Sequence, residues 1–329
     1  MSDICFIGDI HFSSSKSWSN KVCNAFLDWY KNWKYNSEDN YVVFLGDIVD
    51  SATNGGEVIS YLERLYNYSK FKEIHIVVGN HDKKKIDNKD QLAYEFYKEK
   101  SNVFIYEVAT ETTINNHKCL MLPYYIGVNE NNLSMSEYYS NLDKYYKPND
   151  FDFICGHFGN ERVAFGGDCI KNLDYFHCKK ILGHIHTRYC DRQSYCGSVF
   201  ACNKTENDES RCTFILNSYG EWLEESLPQF NEFITFTYGQ RLPRSSSQYP
   251  IYTILNCSNE ELARKKYGDI LIRKVVSSSN ELNDTVNIDR EIDDIKHFNT
   301  QTLFDEFIKH IDSKFSNEVI SKCREYLKG

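Results

Sequence analysis

No apolar run in this 329-residue sequence approaches the ~20 residues that a bilayer-spanning helix needs, which excludes a helical membrane protein. A secretory leader is not expected either. Met1-Ser2-Asp3 passes directly into Ile4-Cys5-Phe6-Ile7, too short for a signal core and without a basic lead-in. The chain is therefore expected in the cytoplasm, with no membrane role and with its twelve cysteines as reduced thiols. No two cysteines have C-x-x-C spacing; Cys178, Cys190, Cys196 and Cys202 crowd together without the spacing of a zinc knuckle and read as buried thiols. Positive charge is in deficit too. Against 47 acidic residues stand 38 basic ones, a net of -9, which argues against coating nucleic acid by bulk electrostatics.

What is present is an alternation of short β-branched or aromatic runs with longer amphipathic stretches, from residue 1 to about 217, which predicts one α/β domain. Strands are expected at Ile4 to Ile7, Tyr41 to Leu45, Ile74 to Val78, Val103 to Tyr106, Phe151 to Cys155, Lys180 to Leu182 and Cys212 to Leu216. Helices are expected near 18–34, 56–68, 89–99 and 135–146. Residues 218–276 predict a small appended α+β unit, with strands at Phe233 to Tyr238 and Ile251 to Leu255 around a Ser/Pro loop, and 277–300 a polar linker. Residues 301–329 predict two short amphipathic helices, one with Leu303, Phe304, Phe307, Ile308 and Ile311 on one side, the other with Val319, Ile320, Cys323 and Leu327. There is no internal repeat. The tail is acidic: residues 277–329 hold eleven acids and seven bases.

The informative feature is a pattern that occurs five times, in which an apolar run meets glycine and then a residue able to bind a metal. The instances are Cys5-Phe-Ile-Gly-Asp9-Ile-His11, Val43-Phe-Leu-Gly-Asp47, Ile76-Val-Val-Gly-Asn80-His81-Asp82, Phe153-Ile-Cys-Gly-His157 and Ile181-Leu-Gly-His184-Ile-His186. Ligands in α/β proteins gather at the carboxyl ends of strands, so these segments are expected to converge. Any single Asp-x-His or Gly-His is more often a turn or a cap than a ligand. Together they bring carboxylates, an amide and imidazoles to one place, a donor set suited to manganese, magnesium or iron rather than structural zinc. Seven ligands are too many for one ion. Two ions ~3.5–4 Å apart need a shared carboxylate, for which Asp47 is chosen, and such pairs serve displacement at phosphorus.

In order and spacing, Gly8-Asp9-Ile-His11, Gly46-Asp47-Ile-Val-Asp50, Gly79-Asn80-His81-Asp82, Gly156-His157 and Gly183-His184-Ile-His186 resemble the calcineurin-like metallophosphoesterase superfamily. Within it the chain is similar to SbcD-type double-strand-break repair nucleases, the group that includes the recombination endonuclease subunits of T-even bacteriophages. Tyr195-Cys-Gly197-Ser198, the small following unit and the C-terminal helical pair extend the likeness. The resemblance implies a metallophosphoesterase β-sandwich flanked by helices, with a small capping domain that contacts DNA. It implies that Asp9, His11 and His186 hold a first metal, that Asn80, His157 and His184 hold a second, and that Asp47 bridges. His81 would contact the scissile phosphate and protonate the leaving oxygen, with Asp50 orienting it.

By the same resemblance the partners are DNA, an SMC-like coiled-coil ATPase held through the C-terminal helices, and a second copy of the chain. The setting would be the cytoplasm of a bacterial host if the chain is phage-encoded. Lys83, Lys84 and Lys85, beside His81, are candidates for the substrate backbone, or else a solvated helix start, and Asp82 is expected to cap that helix. The implied activity is a manganese-dependent 3′-to-5′ exonuclease on duplex DNA with single-strand endonuclease activity. The alternatives are a small-substrate phosphodiesterase, a protein phosphatase and a non-enzymatic scaffold. Protein phosphatases carry Arg-Gly after the second motif and Asn-His-Glu in the third; here Ser51-Ala52 and Asn80-His81-Asp82 stand instead. A scaffold would show lost ligands, and none is lost.

Overall fold

The computed structural model describes residues 2–16, 18–52, 55–86, 89–125, 135–159, 169–170, 173–190, 193–207 and 210–277. The expected linker and helical pair, with Leu303, Phe304, Phe307, Ile308, Ile311 and Ile320, lie outside them. Two six-stranded sheets face each other. The first runs β14 (Trp222–Ser226), β13 (Cys212–Leu216), β1 (Ile4–Ile7), β2 (Tyr41–Phe44), β3 (Glu73–Val77), β6 (Val103–Tyr106). The second runs β11 (Tyr189–Cys190), β12 (Gln193–Tyr195), β10 (Lys179–Gly183), β9 (Phe153–His157), β8 (His117–Leu122), β7 (Thr110–Ile114). Because β14 pairs with β13, the first sheet continues past residue 217.

Alternation of side chains builds the layers. Along β1, Ile4 and Phe6 enter the core between the sheets, whereas Cys5 and Ile7 enter the core beneath α1 (Ser19–Asn32) and α2 (Gly56–Tyr68). Both sets are fully buried, so the strand reads as a continuous apolar run rather than an alternating one. Phe6 meets Phe153 of the opposite sheet edge to face, with centroids 5.5 Å apart. On the second sheet Phe153 and Cys155 point inward, while Ile154 packs outward with Met135 and Tyr139. α1 buries Val22, Cys23, Phe26, Leu27 and Tyr30, the three-and-four spacing of a helix with one apolar face.

Three expectations are corrected. The helix over 89–99 is a hairpin of β4 (Lys83–Ile86) and β5 (Lys89–Leu92) followed by a 3-10 turn at Glu95–Glu99. Its aromatic and apolar spacing suits either state, and antiparallel pairing with the preceding lysine segment decides for strand. Lys83, Lys84 and Lys85 are therefore a strand and not a helix start. The region 135–146 forms two single helical turns, Met135–Tyr138 and Leu142–Tyr145, not one helix.

The appended unit is a parallel three-stranded sheet of β15 (Asn231–Thr237), β16 (Tyr249–Leu255) and β17 (Leu271–Val276). The crossover from β16 to β17 is supplied by α3 (Glu260–Tyr267), whose first turn is capped by Asn259 Oδ1 accepting from Leu262 N at 2.9 Å, and that from β15 to β16 by the loop 238–248. The Asn231 side chain ties this unit to Ala201, accepting from its N at 2.9 Å and donating to its carbonyl at 2.8 Å. No helix among the described residues is long and apolar enough to cross a membrane.

His75 on β3 is buried between Phe104 and Tyr106, and burial pulls its pKa down from 6.5 to about 3. Its partners, Tyr106 Oη at 2.7 Å and Glu73 Oε2 at 3.2 Å, do not offset that loss of hydration. The unfolded chain thus binds a proton that the fold refuses. The stability this contributes is complete above pH 6.5 and is lost as pH falls from 6.5 toward 3. Replacing His75 by phenylalanine is expected to flatten the acid limb by on the order of a few kcal/mol in denaturant titrations. An unchanged limb would show that His75 does not drive it.

Candidate metal centre

Each candidate ligand sits where an inner strand stops. Asp9, Asp47 and Asn80 follow the parallel strands β1, β2 and β3; His157 ends β9 and His184 follows β10. The turns are tight. His11, Asp47 and His184 all adopt positive φ, at 54°, 48° and 85°, backbone that non-glycine residues rarely hold and that clusters at functional sites. Gly46 has φ 94°, and a Cβ there would overlap the His157 ring, whereas a Cβ at Gly79 would fall on the Asp47 carboxylate. The glycines thus let the two sheet edges approach each other.

All the expected ligands come together. His11 Nε2 faces His186 Nε2 at 2.9 Å and lies 3.8 Å from Asp47 Oδ2. On the other side of Asp47, Oδ2 is 3.2 Å from His157 Nε2. Asn80 Oδ1 is 3.0 Å from His157 Nε2 and 3.1 Å from His184 Nδ1. Asp47 is thus the carboxylate shared by two donor groups, as a bridge would be. The opposite nitrogens are occupied by the protein. His157 Nδ1 donates to the Leu45 carbonyl at 2.7 Å, so Nε2 is the nitrogen that faces the centre. Asp9 Oδ1 accepts from His184 N at 2.8 Å.

The donor set fits divalent ions. Among the described residues Asp9 Oδ2 is buried without a hydrogen-bond partner, a costly state for a polar atom unless something else satisfies it. Asp9, His11 and Asp47 offer ligand atoms within 4.8 Å of one another, all buried. Electrostatics point the same way. Burial alone would raise the Asp47 pKa, but His157, His11 and His81 outweigh it and hold the carboxyl ionised below the usual carboxylate range. His157, although buried, is pushed up to about 9 by Asp47 and Asp9.

His81 stands at the rim, with its side chain 42% exposed. Its backbone N donates to Asp47 Oδ1 at 2.8 Å, and its Nε2 comes 4.0 Å from Asp47 Oδ2. The orienting contact differs from the expected one: His81 Nδ1 donates to the backbone carbonyl of Asp50 at 2.8 Å, not to its carboxylate. That carboxylate instead lies 3.5 Å from Lys16 Nζ and 3.8 Å from His11 Nδ1. Asp82 is no helix cap. Fully buried, it accepts from Ile48 N at 2.9 Å and Gly79 N at 2.8 Å, locking the second motif to the third; burial and the charge of Asp47 raise its pKa to about 6.

Of the three lysines, Lys83 is only 11% exposed and ion-paired with Glu107 at 2.5 Å, while Lys84 is exposed. The clustered cysteines divide between environments: Cys196 is buried, Cys178 and Cys202 are half-buried, and Cys190 is exposed. Their common description as buried thiols is thus corrected. No disulfide occurs among the described residues. Sequence reasoning missed Glu206, Cys202 and Lys16. Glu206 bonds His186, and Cys202 lies in reach of His11 and His186. The one signal for Glu206 was Asn203-x-x-Glu206, the spacing of a helix-capping pair.

Two facing sheets with this donor set at their paired edges define a metal-dependent phosphoester hydrolase. The chain belongs to the calcineurin-like phosphoesterases, a family whose pattern matches residues 2–188. No curated protein matches the sequence. Among solved structures, the chain is similar to a protein of unknown function from Aquifex aeolicus, at 16% identity over 55% of this chain and 89% of that one, with a TM-score of 0.31. It is also similar to the phosphopantetheinyl hydrolase of Mycobacterium tuberculosis, at 13% identity over 60% and 88% of the two chains, with a TM-score of 0.37.

Proposed function

We propose that this chain is a manganese-dependent DNA nuclease, a 3′-to-5′ exonuclease on duplex ends with endonuclease activity on single strands. The observation that carries phosphodiester hydrolysis is His81, exposed at the rim, with Nδ1 tied to Asp50 and Nε2 turned toward the centre. Bound divalent ions supply Lewis acidity at the phosphate and acidify water. Asp9, His11 and His186 would hold one ion, Asn80, His157 and His184 the other, with Asp47 between them. The protein's own part is positional and protonic. The Asp50 carbonyl fixes the His81 ring through Nδ1–H, and the His81 imidazolium gives its second proton, on Nε2, to the departing sugar oxygen as a general acid, leaving the neutral Nδ1–H ring. Lys16, at the same rim, adds a cation beside Asp50.

The preference for DNA is supported by the SbcD-type motif order, by Tyr195-Cys-Gly197-Ser198 and by the small α+β unit after the catalytic sheets. Work with an SMC-like coiled-coil ATPase, as a homodimer, in the cytoplasm, belongs to the same proposal and rests on that resemblance. The test is degradation of end-labelled linear duplex DNA with manganese, beside the Asp47→Ala protein and bis-p-nitrophenyl phosphate. Manganese-dependent shortening from 3′ ends that disappears in the variant is the expected result. Cleavage of the small diester alone, also in the presence of the ATPase, would transfer the assignment to a small-substrate phosphodiesterase.

A further inference from the structure

We propose that Glu206 is a positioning residue for the metal centre: it fixes the tautomer and ring orientation of His186, so that His186 Nε2 is the nitrogen offered to the metal. This rests on the reading of His186 as a metal ligand, and not on DNA as the substrate.

Glu206 Oε1 lies 3.1 Å from His186 Nδ1, on the opposite side of the ring from Nε2, which is 2.9 Å from His11 Nε2. A carboxylate oxygen accepts, so Nδ1 keeps a proton, and whenever the imidazole is neutral the lone pair is the one on Nε2. Glu206 itself cannot serve as a ligand to the same ion, because the imidazole stands between them. Its own geometry is set by the fold. The side chain is 9% exposed; Oε2 accepts from Cys202 N at 2.9 Å and from Ser198 Oγ at 3.3 Å, and Asn203 Nδ2 donates to Oε1.

The segment that holds Glu206 also holds the metal side. Ser198 N donates to the His186 carbonyl at 3.0 Å, and Val199 N donates to the Asp9 carbonyl at 2.9 Å. One loop therefore sets the backbone of two candidate ligands and the tautomer of one of them. His186 is 26% exposed at its side chain, unlike the fully buried His157, so neighbouring packing alone does not immobilise it. A carboxylate behind the ring does.

The test uses the metal-free full chain labelled with 15N-histidine, and manganese titration followed by electron paramagnetic resonance. In the unsubstituted protein at alkaline pH, where the His186 ring is neutral, long-range 1H–15N spectra are expected to show the Nδ1–H tautomer; the Nε2–H tautomer would overturn the proposal without any variant. Glu206→Leu is expected to lose the tautomer preference and to weaken one manganese site about 10- to 100-fold while leaving the other unchanged. Glu206→Gln, which keeps an acceptor oxygen, should recover most of both. Both manganese affinities unchanged in Glu206→Leu would overturn the assignment. If the unsubstituted chain bound no manganese, the ligand reading itself would fail, whereas loss of DNA cleavage alone would touch only the nuclease proposal.

Discussion

Asp47→Ala is expected to abolish metal-dependent phosphodiester hydrolysis and to change manganese binding at both sites together. The reason is its central place: Oδ2 is 3.2 Å from His157 Nε2 and 3.8 Å from His11 Nε2, and Oδ1 accepts from His81 N at 2.8 Å. One side chain touches both donor groups and the loop of the candidate acid. The loss should exceed the ~10²–10³ that a single oxyanion-stabilising donor is worth, since binding, charge and acid placement fail together. Asp47→Asn keeps the shape and one acceptor oxygen but not the charge, and should fall between the two. Initial rates with saturating manganese, read beside manganese titrations, check this. Activity of the alanine protein comparable with that of the unsubstituted chain would exclude Asp47 as the bridge.

His81→Asn is expected to behave in the opposite way, with both metal sites filled and turnover lost. As general acid, His81 should contribute ~10² to 10⁴ in rate where the departing group is an alcohol that needs a proton. With p-nitrophenolate as leaving group the proton is dispensable, and the variant should retain nearly full rate. The comparison of the two substrates in one variant separates proton donation from site collapse, because collapse would slow both. Manganese affinity should change little, since His81 is not among the proposed ligands: it reaches the centre only through ring Nε2, 4.0 Å from Asp47 Oδ2, and through its backbone N, which donates to Asp47 Oδ1. Equal losses on both substrates would remove His81 from the acid role.

Much of this was legible in one dimension because the chemistry lies immediately beyond strand ends. Ile4 to Ile7, Tyr41 to Leu45 and Lys180 to Leu182 read as strands since they are buried on both faces, and a buried strand leaves an uninterrupted apolar run. Glycine then marks the turn, and the residue after it is the candidate ligand. Where burial is one-sided the signal thins. β7 and the short β11 have exposed positions along their length and passed unnoticed, and the lysine hairpin of β4 and β5 was hidden by a spacing that suits a helix equally well.

Sequence alone determined the candidate ligands, their order and the strands that carry them, because local hydrophobic pattern and turn chemistry are properties of neighbouring residues. Tertiary structure decided which partner serves each ligand. It placed the backbone carbonyl of Asp50, and not its carboxylate, against His81; it drew Asp82 into the core between two motifs; and it set Glu206 behind His186. These contacts span 31, 34 and 20 residues of chain, and pairings at that separation arise only when segments distant in sequence are brought side by side by the fold.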